Sequence, residues 1–154
     1  MLGRLRPIGL AEFGLREAVE NLVAFWRRRR PEIRYEVAIS AECDDLVDVV
    51  GTVICRIVQE ALINALRHAE PKRIAISIER DRDEIRLSVA DDGRGMRDPD
   101  KLGYGLIGIS ERVGAVGGRL SISNKSDEGF AVVAVLPYPQ PLDPVSSSVE
   151  AAEP

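Results

Sequence analysis

A single histidine, His68, and two cysteines, Cys43 and Cys55, are all the imidazole and thiol that 154 residues supply. The cysteine spacing fits no metal site, and two thiols in a chain of this class read as reduced core residues of a cytosolic protein. An excess of basic charge is missing too. The net charge is −4, which argues against a nucleic-acid surface while leaving room for a local basic pocket. No apolar run is expected to reach the roughly 18 residues that span a membrane, and "MLGRLRPIGLAEFGL" lacks the continuous apolar stretch of a signal peptide. Internal repeats are absent. The chain is therefore expected to be one soluble cytoplasmic domain without direct membrane contact.

What is present has clear periodicity. "GLAEFGLREAVENLVAFWRRRR" carries Leu15, Val19, Leu22, Val23 and Trp26 at spacings of three and four, an amphipathic helix ended by Pro31. The run Arg27 to Arg30 reads as a solvated last turn whose charge suits the helix dipole. "IRYEVAIS" alternates as a half-buried strand. A second helix is expected from about Leu46 to Ala69, closed by Pro71, with Ile54, Ile57, Val58, Ala61, Leu62 and Ala65 as its apolar stripe. "RIAISIER" and "EIRLSVAD" form a hairpin, "DGRGMRDPDKLGYG" a loop, and "LIGISERVGAVGG" a short helix stopped at Gly117 and Gly118. "RLSISNKS" and "FAVVAVLP" make the final strand pair. Residues 138–154, rich in proline and serine, read as a disordered tail after a domain spanning 1–137. Short turns between consecutive strands demand antiparallel pairing, so the expected fold is a mixed or antiparallel sheet with helices on one face.

"GYGLIG", Gly103 to Gly108, matches the G-x-G-x-x-G pattern of dinucleotide-binding folds. That motif must follow a buried parallel strand and open a crossover helix. Here "RDPDKL" precedes it, polar and containing Pro99, and a hairpin follows the helix. The dinucleotide reading fails, but glycines opening a helix remain compatible with an anion at its N-terminus. Two further segments point to the same place. In "QEALINALRHA", Glu60, Asn64 and His68 recur every four residues as a polar row bordering the apolar stripe, as on a helix lining a cleft. In "VADDGRGM", Asp91 ends a strand at D-x-G-x-G spacing with Gly93 and Gly95, which suits a carboxylate accepting from a base amino group beside a close backbone approach. Each segment alone has an ordinary explanation as a solvated helix face or a D-G turn.

In this order the three segments resemble the ATP-binding domain of the GHKL superfamily, which includes gyrase, mismatch-repair ATPases, heat-shock chaperones and sensor histidine kinases. "QEALINALRHA" is similar to the N box, "DDGRGM" to the first glycine box and "GYGLIG" to the second. "RIVQEALINALRHA", "GLIGISERVGAVGGRLSIS", "VVAVLP" and "LRPIGLAEFGLREAV" resemble most closely the kinases that signal to helix-turn-helix response regulators. The resemblance covers roughly residues 2 to 137 and implies an α+β two-layer sandwich, the Bergerat fold. Its largely antiparallel mixed sheet would have about five strands, covered on one face by about three helices.

The resemblance further implies a site. Glu60 would be the general base, and Asn64 would ligate the Mg²⁺ that bridges the phosphates of ATP. Asp91 would read the adenine amino group, with Gly93, Gly95 and Met96 around it. Gly103, Tyr104, Gly105 and Leu106 would hold the phosphates, and Arg67 and His68 would add contacts to them. Residues 94–104 would form a short ATP lid. The implied partners are ATP or ADP, the phospho-acceptor and dimerisation domain of a parent kinase, and a downstream response regulator. Two departures stand out. His68 lies within the nucleotide-binding box and so is no acceptor, which makes the chain a catalytic fragment. Phe130 stands where the subfamily places threonine, so that the pocket either loses a polar contact or the ring serves the core. The competing readings are a stand-alone serine kinase of the same superfamily that inhibits a sigma factor and a nucleotide sensor without transfer activity.

Overall fold

The computed structural model describes residues 10–44, 46, 48–94, 104–125 and 129–139. A one-turn helix α1 (Leu10–Phe13) leads into α2 (Leu15–Arg29), β1 (Arg34–Ile39) and α3 (Val49–Asn64). The hairpin β2 (Arg73–Asp81) and β3 (Glu84–Asp91), helix α4 (Tyr104–Ala115), and the hairpin β4 (Arg119–Lys125) and β5 (Gly129–Pro137) complete the order. The sheet runs β1-β2-β3-β5-β4; β1 and β2 are parallel and every other pair is antiparallel. The sequence left mixed and antiparallel sheets open, and the crossover through α3 decides for the mixed one.

Strand alternation builds the core. Ile74, Ile76 and Ile78 of β2 lie in register with Asp91, Val89 and Leu87 of β3, so these residues share one face. Phe130, Val132, Ala134 and Leu136 of β5 continue that face, and all are buried with the apolar stripes of the helices in one cluster. The opposite face carries Ala75, Ser77, Ser88, Ala90, Ala131 and Val133, each partly exposed. This is the expected two-layer α+β sandwich.

Three local departures have physical causes. The first helix breaks at Gly14, whose φ of 87° is open to glycine, so α1 and α2 are separate. The second starts at Val49 and not near Leu46, because the Asp48 carboxylate caps it by accepting from Val50 N at 3.0 Å and Gly51 N at 3.2 Å. It ends as an α-helix at Asn64 and continues as a π-helical turn, Ala65–Ala69. Val49–Arg67 is also long and apolar enough to cross a membrane, contrary to the expectation from the sequence, but more than half of it is packed inside the fold as the core helix. Its Cys55 and the earlier Cys43 are both buried free thiols, and burial pushes Cys55 up to about 12.

Tyr138, expected in the tail, belongs to the folded part. Its N–H donates to Asp83 O at 2.6 Å and the Arg80 guanidinium lies 4.7 Å from its ring centroid. The rest of the proposed tail, residues 140–154, lies outside the described residues.

Candidate functional site

The inward alternation of β3 runs Ile85, Leu87, Val89 and then Asp91. A carboxylate thus takes the next core-facing position at the end of the sheet, opposite Ile74. Asp91 Oδ1 accepts from Gly93 N at 2.8 Å, and the backbone N–H of Phe130 also donates to its carboxylate. Burial still wins: it raises the Asp91 pKa above the ordinary 3.8, the two amides lower it, and the neighbouring Asp92 raises it. Asp92 has a different job. Its Oδ1 accepts from Lys72 N and Arg73 N, both at 2.9 Å, tying the first glycine turn to the start of β2. Of the two aspartates in "DDG", one is committed to the scaffold and the other keeps capacity for a ligand.

Gly129 makes that corner possible. Its φ is 104°, and a Cβ there would run into the carbonyl oxygen of Asp91. In the sequence Gly129 stands out only as the residue before Phe130.

Phe130 answers the question raised by the missing threonine. Its side chain is 4% exposed and belongs to the central apolar cluster. The ring is core, and only its backbone N–H serves Asp91. Phe130→Thr should therefore lower the melting temperature sharply, since truncating a buried phenylalanine costs about 3 kcal/mol or more. It should leave ADP affinity without gain; a thermal melt with a parallel ADP titration checks both.

Across the cleft, α3 presents Glu60 and Asn64. The Glu60 carboxylate lies directly against Gly105, where an added Cβ would sit 2.6 Å from its carboxyl carbon. The start of α4 is thus seated on the polar row of α3, and any side chain at 105 would displace the Glu60 carboxylate from this position. Asn64 is the buried polar residue among those described, 8% exposed, and its Nδ2 has no hydrogen-bond partner there. An orphaned buried amide costs free energy unless something else meets it.

One turn before Glu60, Arg56 has a buried Nε without a partner among the described residues; burial first, then the like charge of Arg112, lowers its pKa. No role for this arginine is legible in the sequence. Beyond Asn64 the helix passes into the π turn, which advances fewer degrees per residue than an α turn. Arg67 is exposed on that turn. The turn closes at Glu70, whose φ is 46° and whose carboxylate pairs with Arg94 at the entry to the second loop.

Glu60, Asn64, Asp91, Gly93, Gly105 and Leu106 are thus placed on elements that converge at one end of the sheet. Gly95, Met96 and Gly103 lie outside the described residues, as do most of 94–104 and the side chains of His68 and Tyr104.

Comparison with known proteins identifies the family to which this fold belongs. Residues 49–140 match the family described as histidine kinase-, DNA gyrase B- and HSP90-like ATPases. The oxygen sensor histidine kinase NreB of Staphylococcus carnosus is 32% identical over 137 residues, covering 86% of this chain and 39% of NreB. The sensor histidine kinase LiaS of Bacillus subtilis is 29% identical over 140 residues, covering 89% of this chain and 38% of LiaS. The chain therefore spans about two fifths of the length of these curated relatives. Among solved structures, the histidine kinase domain of the Erythrobacter litoralis EL346 blue-light-activated kinase superposes with a TM-score of 0.65 at 23% identity, covering 80% of this chain and 59% of that one. The mycobacterial sensor histidine kinase MprB gives 0.61 at 22%, covering 82% and 96%. The chain belongs to the histidine kinase-, DNA gyrase B- and HSP90-like ATPase family, with sensor histidine kinases as its relatives.

Proposed function

We propose that this domain binds ATP with Mg²⁺ at the end of the sheet and transfers the γ-phosphoryl group to a histidine on a separate dimerisation and acceptor domain. The observation that carries the reading is the partly buried Asp91 carboxylate, fixed by two backbone amides on the core side of β3. Nothing in the core calls for a charge at that position. A base amino group is the complementary ligand, because it donates to the oxygen lone pairs that the amides leave free.

The other side chains take consistent parts. The unpartnered Nδ2 of Asn64 fits a phosphate oxygen while the Oδ1 of the same amide serves as an oxygen ligand, so the residues present fit a magnesium–nucleotide complex. When bound, Mg²⁺ would neutralise phosphate charge. Glu60, held against the first turn of α4, would accept a proton from or orient the attacking imidazole. Gly105 and Leu106 would offer backbone amides to the phosphates at the helix N-terminus, and Arg67 would add positive charge. Asp91, Gly93, Gly95 and Met96 would frame the adenine, and Gly103 with Tyr104 would complete the phosphate loop.

As a sensor-kinase fragment it would act upstream of a response regulator. His68, placed within the N box, would stay unphosphorylated. The test is phosphotransfer in trans. With MgATP and the acceptor domain of the parent kinase, this chain should generate acid-labile phosphate on that domain and none on itself. Acid-stable phosphate on a partner serine would instead identify the serine-kinase alternative.

A further inference from the structure

The arginine run at the end of α2 is not one uniform solvated patch. The Arg29 guanidinium lies 3.6 Å from the centroid of the Phe25 ring, and that of Arg27 lies 5.8 Å from the Tyr35 ring. Arg28 is exposed. Arg30 reaches across 36 positions of sequence and donates from Nη1 to the carbonyl oxygen of Leu66 at 3.3 Å.

That carbonyl is a special one. Leu66 lies in the π turn Ala65–Ala69, the last turn before the chain reverses at Glu70. The final carbonyls of a helix have no N–H ahead of them, and here Pro71 brings none. Arg30 supplies a donor from another element. It is itself held from several sides: its N–H donates to Trp26 O at 2.7 Å, its Nε donates to Glu32 at 2.5 Å, and the Tyr35 hydroxyl lies 3.3 Å from its carbonyl oxygen as donor. Tyr35 is a buried residue of β1, which gives this arm a fixed base.

We propose that Arg30 is a positioning residue for the phosphate side of the cleft, holding the π turn that carries Arg67 against the end of α2. The inference rests on the nucleotide-binding reading above, because the π turn matters to phosphates only if they lie beside it. Irregular turns are held by contacts outside the helix, and a π turn cut loose from such a contact can relax toward α-helical geometry, rotating Arg67 away. Adenine, read at the far side by Asp91, would not feel that change.

The test compares ADP with adenosine on the isolated chain, using Arg30→Ala, Arg30→Lys and, as a control for charge alone, Arg28→Ala. Losing one hydrogen bond that orders the turn should weaken ADP about three- to tenfold in Arg30→Ala, with adenosine affinity unchanged. Arg30→Lys, whose ammonium can still donate to the Leu66 carbonyl, should recover most of the ADP affinity, and Arg28→Ala should match the parent. Thermal melts identify any variant that fails to fold; if Arg30→Ala does, Arg30→Met, which keeps the apolar stem without a donor, takes its place with the same expected loss. Equal ADP affinity in Arg30→Ala and the parent overturns the proposal. So does an equal loss for ADP and adenosine, which would mean a general structural role. If the parent chain binds neither ligand, the nucleotide reading itself fails, an outcome distinct from both.

Discussion

Asp91→Asn should melt at a higher temperature than the parent at pH 7 and yet lose most of its affinity for ADP. Burial raises the Asp91 pKa, so the folded state holds its proton more tightly than the unfolded chain does. The stabilisation this gives is complete below the ordinary carboxyl value of 3.8 and is lost as pH rises through the higher folded value. At neutral pH the ionised group therefore costs the fold stability, and a neutral amide of the same shape removes that cost. The gain in melting temperature should shrink toward zero as the pH falls to about 4 and below. Binding moves the other way. The amide oxygen can replace the oxygen that accepts from Gly93 N, which turns the new NH₂ toward a ligand amino group. Donor would face donor, and leaving a buried donor unpaired should weaken ADP about ten- to a hundredfold. Melting curves at two pH values and calorimetric titrations give both readouts. A variant that gains stability and keeps its affinity would leave Asp91 with no role in recognition.

Glu60→Gln should show the opposite separation, with binding intact and chemistry lost. The glutamine side chain fills the same space against Gly105, so the seat of α4 on α3 should survive, and ADP affinity should change little. An amide cannot take up a proton, so transfer to an acceptor domain in trans should fall by about 10²–10⁴. Rapid-quench measurement of the transfer step, at saturating ATP, reads that step without interference from binding. Transfer at the parent rate would reduce Glu60 to the residue that fills the gap beside Gly105.

These predictions draw on residues that the sequence exposed to different degrees. Period-two alternation in "RIAISIER" and "EIRLSVAD" marks both hairpin strands within a residue of where they lie, because each has one face in the core and one partly exposed. The same alternation carries Asp91 inward, which makes the carboxylate unusual before any family is considered. The family itself was legible from three ordered motifs, and the match over residues 49–140 agrees with it.

What escaped notice depends on contacts between distant segments. No local pattern distinguishes a π turn from another turn of α-helix at Ala65–Ala69, since the surplus residue is accommodated by the Arg30 contact and the reversal at Glu70. Gly129 resembles any loop glycine until the Asp91 carbonyl is seen where its side chain would be. Phe130 leaves two readings open in the sequence, a lost polar contact or a core ring, and only the packing of β5 decides for the core. The parallel pairing of β1 with β2 likewise comes from the α3 crossover and from no signal within either strand.

The most direct measurement is a titration of the isotope-labelled chain with MgADP, followed through its backbone amide resonances. The account predicts that the largest shifts gather at Asn64, Asp91, Gly93, Gly105 and Leu106. The groove between α2 and β1, lined by Glu20, Ala24, Arg27 and Val37, should stay unmoved. Saturation with the largest shifts in that groove, or no shift anywhere at millimolar nucleotide, would contradict it.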